Sequence, residues 1–461
     1  MLNWNDIAYN FSVDFNATIN IVRFCYRENV SKLALLGGDK VRKTKFPLYT
    51  PIGKEEFEEI KEVFRSNIFS RFLGCWHEDF FGGPQVGSLE KEWAEFFGVE
   101  HAVAVNSATS ALYCAVGAIG TEPFDEIIVS PYTMCASATA PLVYNAIPVF
   151  ADVKENYFCL DVSFIEKKIT DRTKAIIVVD IFGQLYNAGA INALARKHNL
   201  KIIEDCAQAP YARYEDRFTG TLGDIGIFSL NYHKHIHCGE GGILVTNDSA
   251  LANKLRLIRN HAEAVMEAKG ETDLVNMVGF NYRMTEMEVA IARCQLKKIP
   301  KLVEERRKNI RYLEEELAKI PCLTMPKVRD GAEHVYYAHA LKFDERTAGI
   351  HRNKFVEAMK AELMPMELRE TEEIKVSSGY VKPLYLQPMF QRQIAYGSKG
   401  FPWSASGRKY DYSRGSCPVA EDLHFNFLIT HEYMRPGMTK SDLDDIVAAF
   451  VKVLEHIDEI R

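Results

Sequence analysis

The residues of this chain best suited to chemistry lie in FSLNYHKHIHCGEGGILVTND, residues 228–248, where Lys234 stands among His233, His235 and His237 with a glycine cluster close behind. Read as a strand, residues 231–238 put the three imidazoles on one face, an arrangement that suits a metal. The GEGG that follows at once favours a turn feeding the strand ILVTND instead. No carboxylate or cysteine cluster elsewhere is placed to complete a metal shell, so no metal is expected and the histidines are read as solvated or hydrogen-bonded. Lys234 taken alone is one more surface charge; held in a loop beside a site, it is an amine able to attack a carbonyl.

Three further segments end or follow apolar, strand-like runs. In VNSATSAL (105–112) small hydroxylated residues open a helix, and backbone N–H groups there, with Ser and Thr hydroxyls, form an anion site suited to a phosphate or else ordinary strand-to-helix punctuation. In IIEDCAQAP (202–210) Asp205 follows the apolar run and Gln208 lies three residues on; taken alone, such a carboxylate reads as a helix cap before it reads as a functional group. Ser229 closes IGIFSL, five residues before Lys234.

The elements that must position these residues are legible as alternating patterns. Candidate strands are HAVAVN (101–106), EIIVS (126–130), IPVFADV (147–153), KAIIVVDIFG (174–183), KIIEDC (201–206), IGIFSL (225–230) and GGILVTN (241–247). Helical patterns lie at 51–67, 88–99, 110–119 and 187–199. Strands interleaved with helices predict an α/β fold with a largely parallel sheet covered on both faces, and in such sheets functional groups gather at the carboxyl ends of the strands. Past residue 300 a charged amphipathic helix (301–320), HVYYAHALKF (334–343), a helix at 351–363, a loop-rich stretch (379–418) and a final helix (441–460) predict a smaller α+β domain. The expected division is an N-terminal extension and arm over 1–50, a large domain over 51–300 and a small domain over 301–461.

Composition excludes several classes. The chain has 461 residues, 47% hydrophobic and 26% charged, with a formal net charge of -6, and shows no basic arm or face that would mark a nucleic-acid footprint. Its longest apolar runs are strand-sized, and its first residues carry no basic region followed by an apolar run, so neither a membrane span nor a signal peptide is expected. Ten cysteines are scattered without a C-x-x-C pair, a pattern of reduced thiols in the cytoplasm.

The joint order changes the reading of each fragment: a small-hydroxyl turn, Asp-x-x-Gln, Ser five residues before Lys, then Gly-Glu-Gly-Gly. Together with LALLGG (33–38), GFNYRMTEMEVAIARCQLKKI (279–299) and GSCPVAEDL (415–423), it resembles the DegT/DnrJ/EryC1/StrS family of sugar and aminocyclitol aminotransferases over about residues 35–458. The resemblance implies an aspartate-aminotransferase-like fold with a mainly parallel seven-stranded sheet, a smaller C-terminal α+β domain, and dependence on pyridoxal 5′-phosphate. The family's imine-forming lysine falls on Lys234, with His233 and His235 as nearby cations that would lower its pKa. Asp205 matches the carboxylate that pairs with the pyridine nitrogen, and Gln208 the residue beside the ring oxygen. Ser229, Ala108 and Thr109 match phosphate-holding positions. Asn281, in GFNYRM, matches an asparagine that reaches the phosphate of a neighbouring subunit, which implies a homodimer with shared active sites.

Two departures stand out. The family's Ser-Gly-Thr turn is Ser107-Ala108-Thr109 here, so its backbone must avoid the positive φ that glycine tolerates. Where an aromatic ring usually stacks on the cofactor, SPYTMCAS offers Met134, with Tyr132 two residues earlier. The implied activity is transfer of an amino group from glutamate or glutamine to a keto sugar, a nucleotide-linked keto sugar or a keto-cyclitol, Lys234 moving the proton as general base and then acid. The alternatives are a sugar 3-dehydratase of the same fold, in which a histidine replaces the lysine, and a non-catalytic regulator that keeps the fold.

Overall fold

A computed structural model describes residues 32–461; the expected N-terminal extension lies, up to residue 31, outside the described residues. Seven strands form the main sheet: β1 (His101–Val105), β2 (Glu126–Val129), β3 (Ile147–Phe150), β4 (Thr173–Val179), β5 (Lys201–Asp205), β6 (Ile225–Ser229) and β7 (Gly242–Thr246). Their spatial order is β1-β7-β6-β5-β4-β2-β3. β6, β5, β4, β2 and β3 run parallel, while β7 is antiparallel to both β1 and β6. Six strands therefore present their carboxyl ends at one edge of the sheet, joined there by the amino end of β7.

Burial explains why these runs are strands. β2, β6 and β7 are buried at every residue, as apolar, β-branched-rich segments must be when helices cover both faces. The covering helices include α1 (Lys54–Ser66), α2 (Pro84–Phe97), α3 (Ala108–Ala118), α4 (Ala136–Val143), α5 (Ala188–Lys197) and α6 (Ser249–Arg259). α2 starts on Pro84 and stops at Gly98 in the left-handed conformation, the asymmetry expected of helix ends.

The expected boundary at residue 300 falls inside one continuous helix, α7 (Glu286–Leu317), which contains Pro300. Thr285 and Glu288 cap its start reciprocally. Its first half (Val289, Leu296, Ile299, Val303) packs into the core of the main sheet, its second (Ile310, Leu313, Leu317) into a second core. That second core lies under a four-stranded antiparallel sheet of β8 (Leu323–Thr324), β9 (His339–Phe343), β10 (Val376–Ser378) and β11 (Leu428–His431), with helices α8 (Arg352–Glu362) and α9 (Lys440–Glu455). Leu33 and Phe46 join this second core, whereas Tyr385, Phe390, Trp403 and Tyr412 of the loop-rich stretch pack on the main sheet's core. Among the described residues no helix is long and apolar enough to cross a membrane.

A row of polar side chains lies between α7 and this second sheet. His431 Nδ1 accepts from the Tyr433 N–H at 3.3 Å, so its Nε2 carries the proton and donates to His339 Nδ1 at 2.8 Å. His339 Nε2–H then faces Glu314 Oε1 at 3.4 Å. Burial pushes the Glu314 carboxyl up to about 7 and the His339 imidazole down to about 3. Between the ordinary glutamate pKa and about 7 the folded protein holds a proton that the unfolded chain has released, so stability falls as pH rises through that window. Glu314→Gln is expected to flatten this: between about pH 5 and about pH 8 the wild type should lose about 1–2 kcal/mol more than the variant in urea unfolding, after allowance for partial exposure.

Candidate active site

The carboxyl edge of the main sheet borders a cavity of about 400 Å³, lined among others by Ser107, Thr109, Asp205, Ser229, Lys234 and Tyr380. One wall is the start of α3. Ser107 caps it in an extended conformation, its Oγ accepting from the Ser110 N–H at 3.0 Å, and the Ser110 hydroxyl donates to Asn106 Oδ1 at 2.7 Å. Ala108 is the first helical residue and has no positive φ, so the alanine in place of glycine carries no backbone strain. The first N–H groups of a helix have no intrahelical acceptor, so this wall is a ready anion site.

Gly242 makes that approach possible. It pairs with Val105 on one side and Ser229 on the other, and a Cβ on it would lie 2.5–2.7 Å from the Ser107 carbonyl and the Ala108 nitrogen. Those are backbone atoms, which cannot swing aside. Gly242→Ala is expected to cost about 1–3 kcal/mol of stability by overpacking and to weaken retention of a phosphate-bearing ligand; thermal unfolding and ligand titration check both.

Asp205 ends β5 beneath the cavity. Ser137 Oγ donates to its Oδ2 at 2.8 Å and the Ala207 N–H to its Oδ1 at 3.1 Å. Burial raises its pKa, opposed by those two bonds and by the charge of Lys234. Gln208 Oε1 accepts from the Phe182 N–H at 2.7 Å, and its Nε2 donates to the Tyr380 hydroxyl at 2.8 Å. Ser229 Oγ accepts from the Asn231 N–H at 3.3 Å.

Lys234 lies on the turn between β6 and β7, its Nζ 4.5 Å from the ring centroid of Tyr337. Burial lowers its pKa, and the neighbouring Tyr380, Asp205 and Glu432 pull the other way. The expectation that protonated histidines lower it is overturned. His235 is buried, bonded to the Val335 carbonyl at 2.9 Å, and held well below its ordinary pKa, while burial also lowers that of His233. Both are neutral near pH 7, so burial rather than a neighbouring cation depresses the amine. Residues 231–238 form no strand, and the three histidines do not converge. Among the described residues, the metal-compatible cluster is Asp180, Glu204 and Cys206, all buried.

Lys234, Asp205, Gln208, Ser229, Ala108, Thr109 and Met134 thus border one cavity although they are spread over residues 108–234. Met134 is half exposed there, whereas Tyr132 is fully buried, its hydroxyl accepting from the Tyr380 N–H at 2.8 Å. Asn281 is exposed and does not line the cavity, but its neighbour Tyr282 accepts through its carbonyl from the Asn106 N–H at 2.9 Å, so it sits beside the Ser107 turn. Sequence reasoning missed Ser137, Tyr337 and Tyr380. Ser137 belongs to a quoted segment, SPYTMCAS, and its spacing from Met134 was the available signal; the two tyrosines come from beyond residue 330, and no local pattern points to them. Tyr385 and His424 do not line the cavity: Tyr385 is fully buried against Glu421, and His424 packs on Tyr132.

The model of the DegT/DnrJ/EryC1/StrS aminotransferase family matches residues 52–451. The chain is similar to the spore coat polysaccharide biosynthesis protein SpsC of Bacillus subtilis, 32% identical over 413 residues that cover 88% of this chain and 96% of SpsC. It is also similar to the L-glutamine:2-deoxy-scyllo-inosose aminotransferase of Micromonospora echinospora, 31% identical over 442 residues, 93% of this chain and 99% of that enzyme. Among solved structures, the aminotransferase from Psychrobacter cryohalolentis superposes with a TM-score of 0.75 at 27% identity, over 90% of this chain and 100% of that one. Motif order, cavity and whole-length similarity agree, and the chain belongs to the DegT/DnrJ/EryC1/StrS aminotransferase family.

Proposed function

We propose that this protein is a pyridoxal 5′-phosphate-dependent aminotransferase that moves an amino group from glutamate or glutamine to a keto sugar, a nucleotide-linked keto sugar or a keto-cyclitol. The observation that carries the reading is the Lys234 amine, which borders the same cavity as the Asp205 carboxylate and the start of α3 and has no hydrogen-bond or ion-pair partner among the described residues. The residues fit the cofactor: an unengaged amine for its aldehyde, a buried carboxylate for its ring nitrogen, and a helix start for its phosphate whose backbone a Cβ at Gly242 would push aside. Bound there, it supplies the aldehyde and a ring that takes up the electron pair left when a Cα–H bond breaks.

This chain's own residues do the rest. The first N–H groups of α3, the Thr109 hydroxyl and Ser229 hold the phosphate. Asp205, oriented by Ser137 and the Ala207 N–H, keeps a proton on the ring nitrogen. Met134 covers a ring face, and Gln208, fixed by Phe182 and Tyr380, stands beside the ring oxygen. Lys234 Nζ takes the proton from the donor's Cα and, in the second half of the cycle, returns one to the acceptor carbon that receives the amine.

The relatives, a protein of spore coat polysaccharide biosynthesis and an aminotransferase of an inosose, support the acceptor class. A homodimer is part of the proposal: Asn281 stands outside its own cavity, and Phe57 and Phe64 on α1 are more than half exposed, as a face awaiting a second copy would be. So is a cytoplasmic location, supported by the nine described cysteines all being free. The dehydratase reading needs a histidine to act in place of the lysine. His233 does border the cavity, but its ring packs on Tyr232 with Nδ1 4.0 Å from Glu372.

The test is direct. Protein loaded with pyridoxal phosphate should show an absorbance band that borohydride abolishes, with the reduced adduct located on the Lys234 peptide. Glutamate or glutamine offered with a panel of keto sugars should yield an amino sugar by mass. A band without any amino product would support the regulator, and a deoxygenated product the dehydratase.

A further inference from the structure

The Lys234 amine lies over the ring of Tyr337, its Nζ 4.5 Å from the ring centroid. Tyr337 arrives from a segment leading into β9, about a hundred positions downstream, and its place is built rather than incidental. Its N–H donates to the Phe182 carbonyl at 2.7 Å, and the Val335 N–H donates to the Gly183 carbonyl at 3.1 Å. Arg306, buried, donates to the carbonyls of Tyr336 and Tyr337 at 3.0 and 3.4 Å. Gly183 has φ +93°, and a Cβ there would lie 2.6 Å from the Tyr336 nitrogen, so glycine is what lets the two segments meet. The same turn fixes Gln208 through the Phe182 N–H. Main-chain bonds therefore clamp the Tyr337 ring to the turn that carries part of the site.

Resting on the reading of Lys234 as the reacting amine, we propose that Tyr337 is a positioning residue whose ring face holds the protonated amine of Lys234 inside the cavity whenever that amine is not covalently engaged. Between taking a proton from one carbon and delivering it to another, Nζ is an ammonium in a buried place. Burial drives such a group to lose its proton or leave. A carboxylate in direct contact would pair with it and fix it. An aromatic face attracts the cation through its quadrupole and has no basic atom to take the proton. The remaining groups that act on the amine, Tyr380, Asp205 and Glu432, do so as charges or potential charges and form no hydrogen bond with it.

The experiment uses the full chain freed of bound aldehyde, with the pH midpoint of Lys234 acylation read by peptide mass spectrometry. Tyr337→Phe, which keeps the ring, should leave the midpoint in place. Tyr337→Leu should lower it by about 0.5–1 unit, and a ring-fluorinated phenylalanine at position 337, which keeps the shape but weakens the quadrupole, should lower it in part. Should Leu disturb folding, the fluorinated ring carries the test alone. An unmoved midpoint in the Leu and fluorinated proteins overturns the proposal. So does Tyr337→Phe shifting as Leu does, which would assign the effect to the hydroxyl. Borohydride fixation on wild-type Lys234 is run alongside: its failure would sink the reading of Lys234 as the reacting amine yet leave the midpoint series readable.

Discussion

Lys234→Ala is expected to abolish turnover, by at least about 10⁴-fold, while leaving the protein folded. Two roles disappear with the one amine: the nucleophile that holds the cofactor's aldehyde, and the base that takes the donor's Cα proton. Removing the side chain orphans no protein partner, because none of the described residues hydrogen-bonds or ion-pairs with Nζ. Unpaired buried amines are a cost to folding, so thermal stability should hold or rise. The charge of Lys234 also acts against the burial-raised pKa of Asp205, so that carboxyl should titrate higher still in the variant. Loss of turnover with an equal or higher melting temperature, and no borohydride-fixed adduct on any peptide, is the expected combination. An adduct that persists on another lysine would remove Lys234 from the mechanism. Because the deletion leaves a lysine-shaped space facing the cavity, a small soluble amine such as methylamine should restore part of the activity, whereas an unfolded variant would gain nothing.

What could be read from the sequence follows the range of the forces involved. Each of the seven strand runs appears in the main sheet within a few residues of its expected limits, since a buried strand writes its environment locally as a β-branched run. Asp205 and Ser229 each close such a run, and the sheet places run ends at one edge, but their joint order and spacing with Lys234 was what set them apart. The helix expected at 301–320 is really Glu286–Leu317, because the first half of α7 reads as part of the GFNYRM motif and Pro300 looks like a breaker. The rest of its covering of both cores depends on tertiary packing. Tyr337 and Tyr380 reach the cavity through a backbone bond to Phe182 and a hydroxyl contact to Gln208, each more than 150 positions away in sequence, a pairing that periodicity does not encode. The effect of the histidines was misjudged because their charge depends on burial, and His235 is buried beside the Val335 carbonyl, about a hundred positions away in sequence.

Asp205→Asn is the more discriminating substitution, because it keeps shape and removes only charge. The asparagine oxygen still accepts from Ser137, as Oδ2 does now at 2.8 Å. Its amide, however, donates where the carboxylate accepted, so it cannot hold a proton on a pyridine nitrogen. If Asp205 does hold that proton, the Cα–H bond of the donor becomes harder to break once the ring no longer carries positive charge. Turnover should fall about 10²–10⁴-fold, the range for removing one preorganised electrostatic partner from a water-poor site. The folded state should gain, since burial penalises the charged form of this group and a neutral amide escapes that penalty. The Ala207 N–H, which now donates to Oδ1 at 3.1 Å, loses an acceptor if the amide nitrogen takes that position, and this limits the gain. Lys234 loses one of the groups that raise its pKa, so its amine should titrate lower in the variant. Slower proton abstraction, an intact borohydride-fixed adduct on Lys234 and equal or higher thermal stability would together separate an electronic role for Asp205 from a structural one; full activity in the variant would end the assignment.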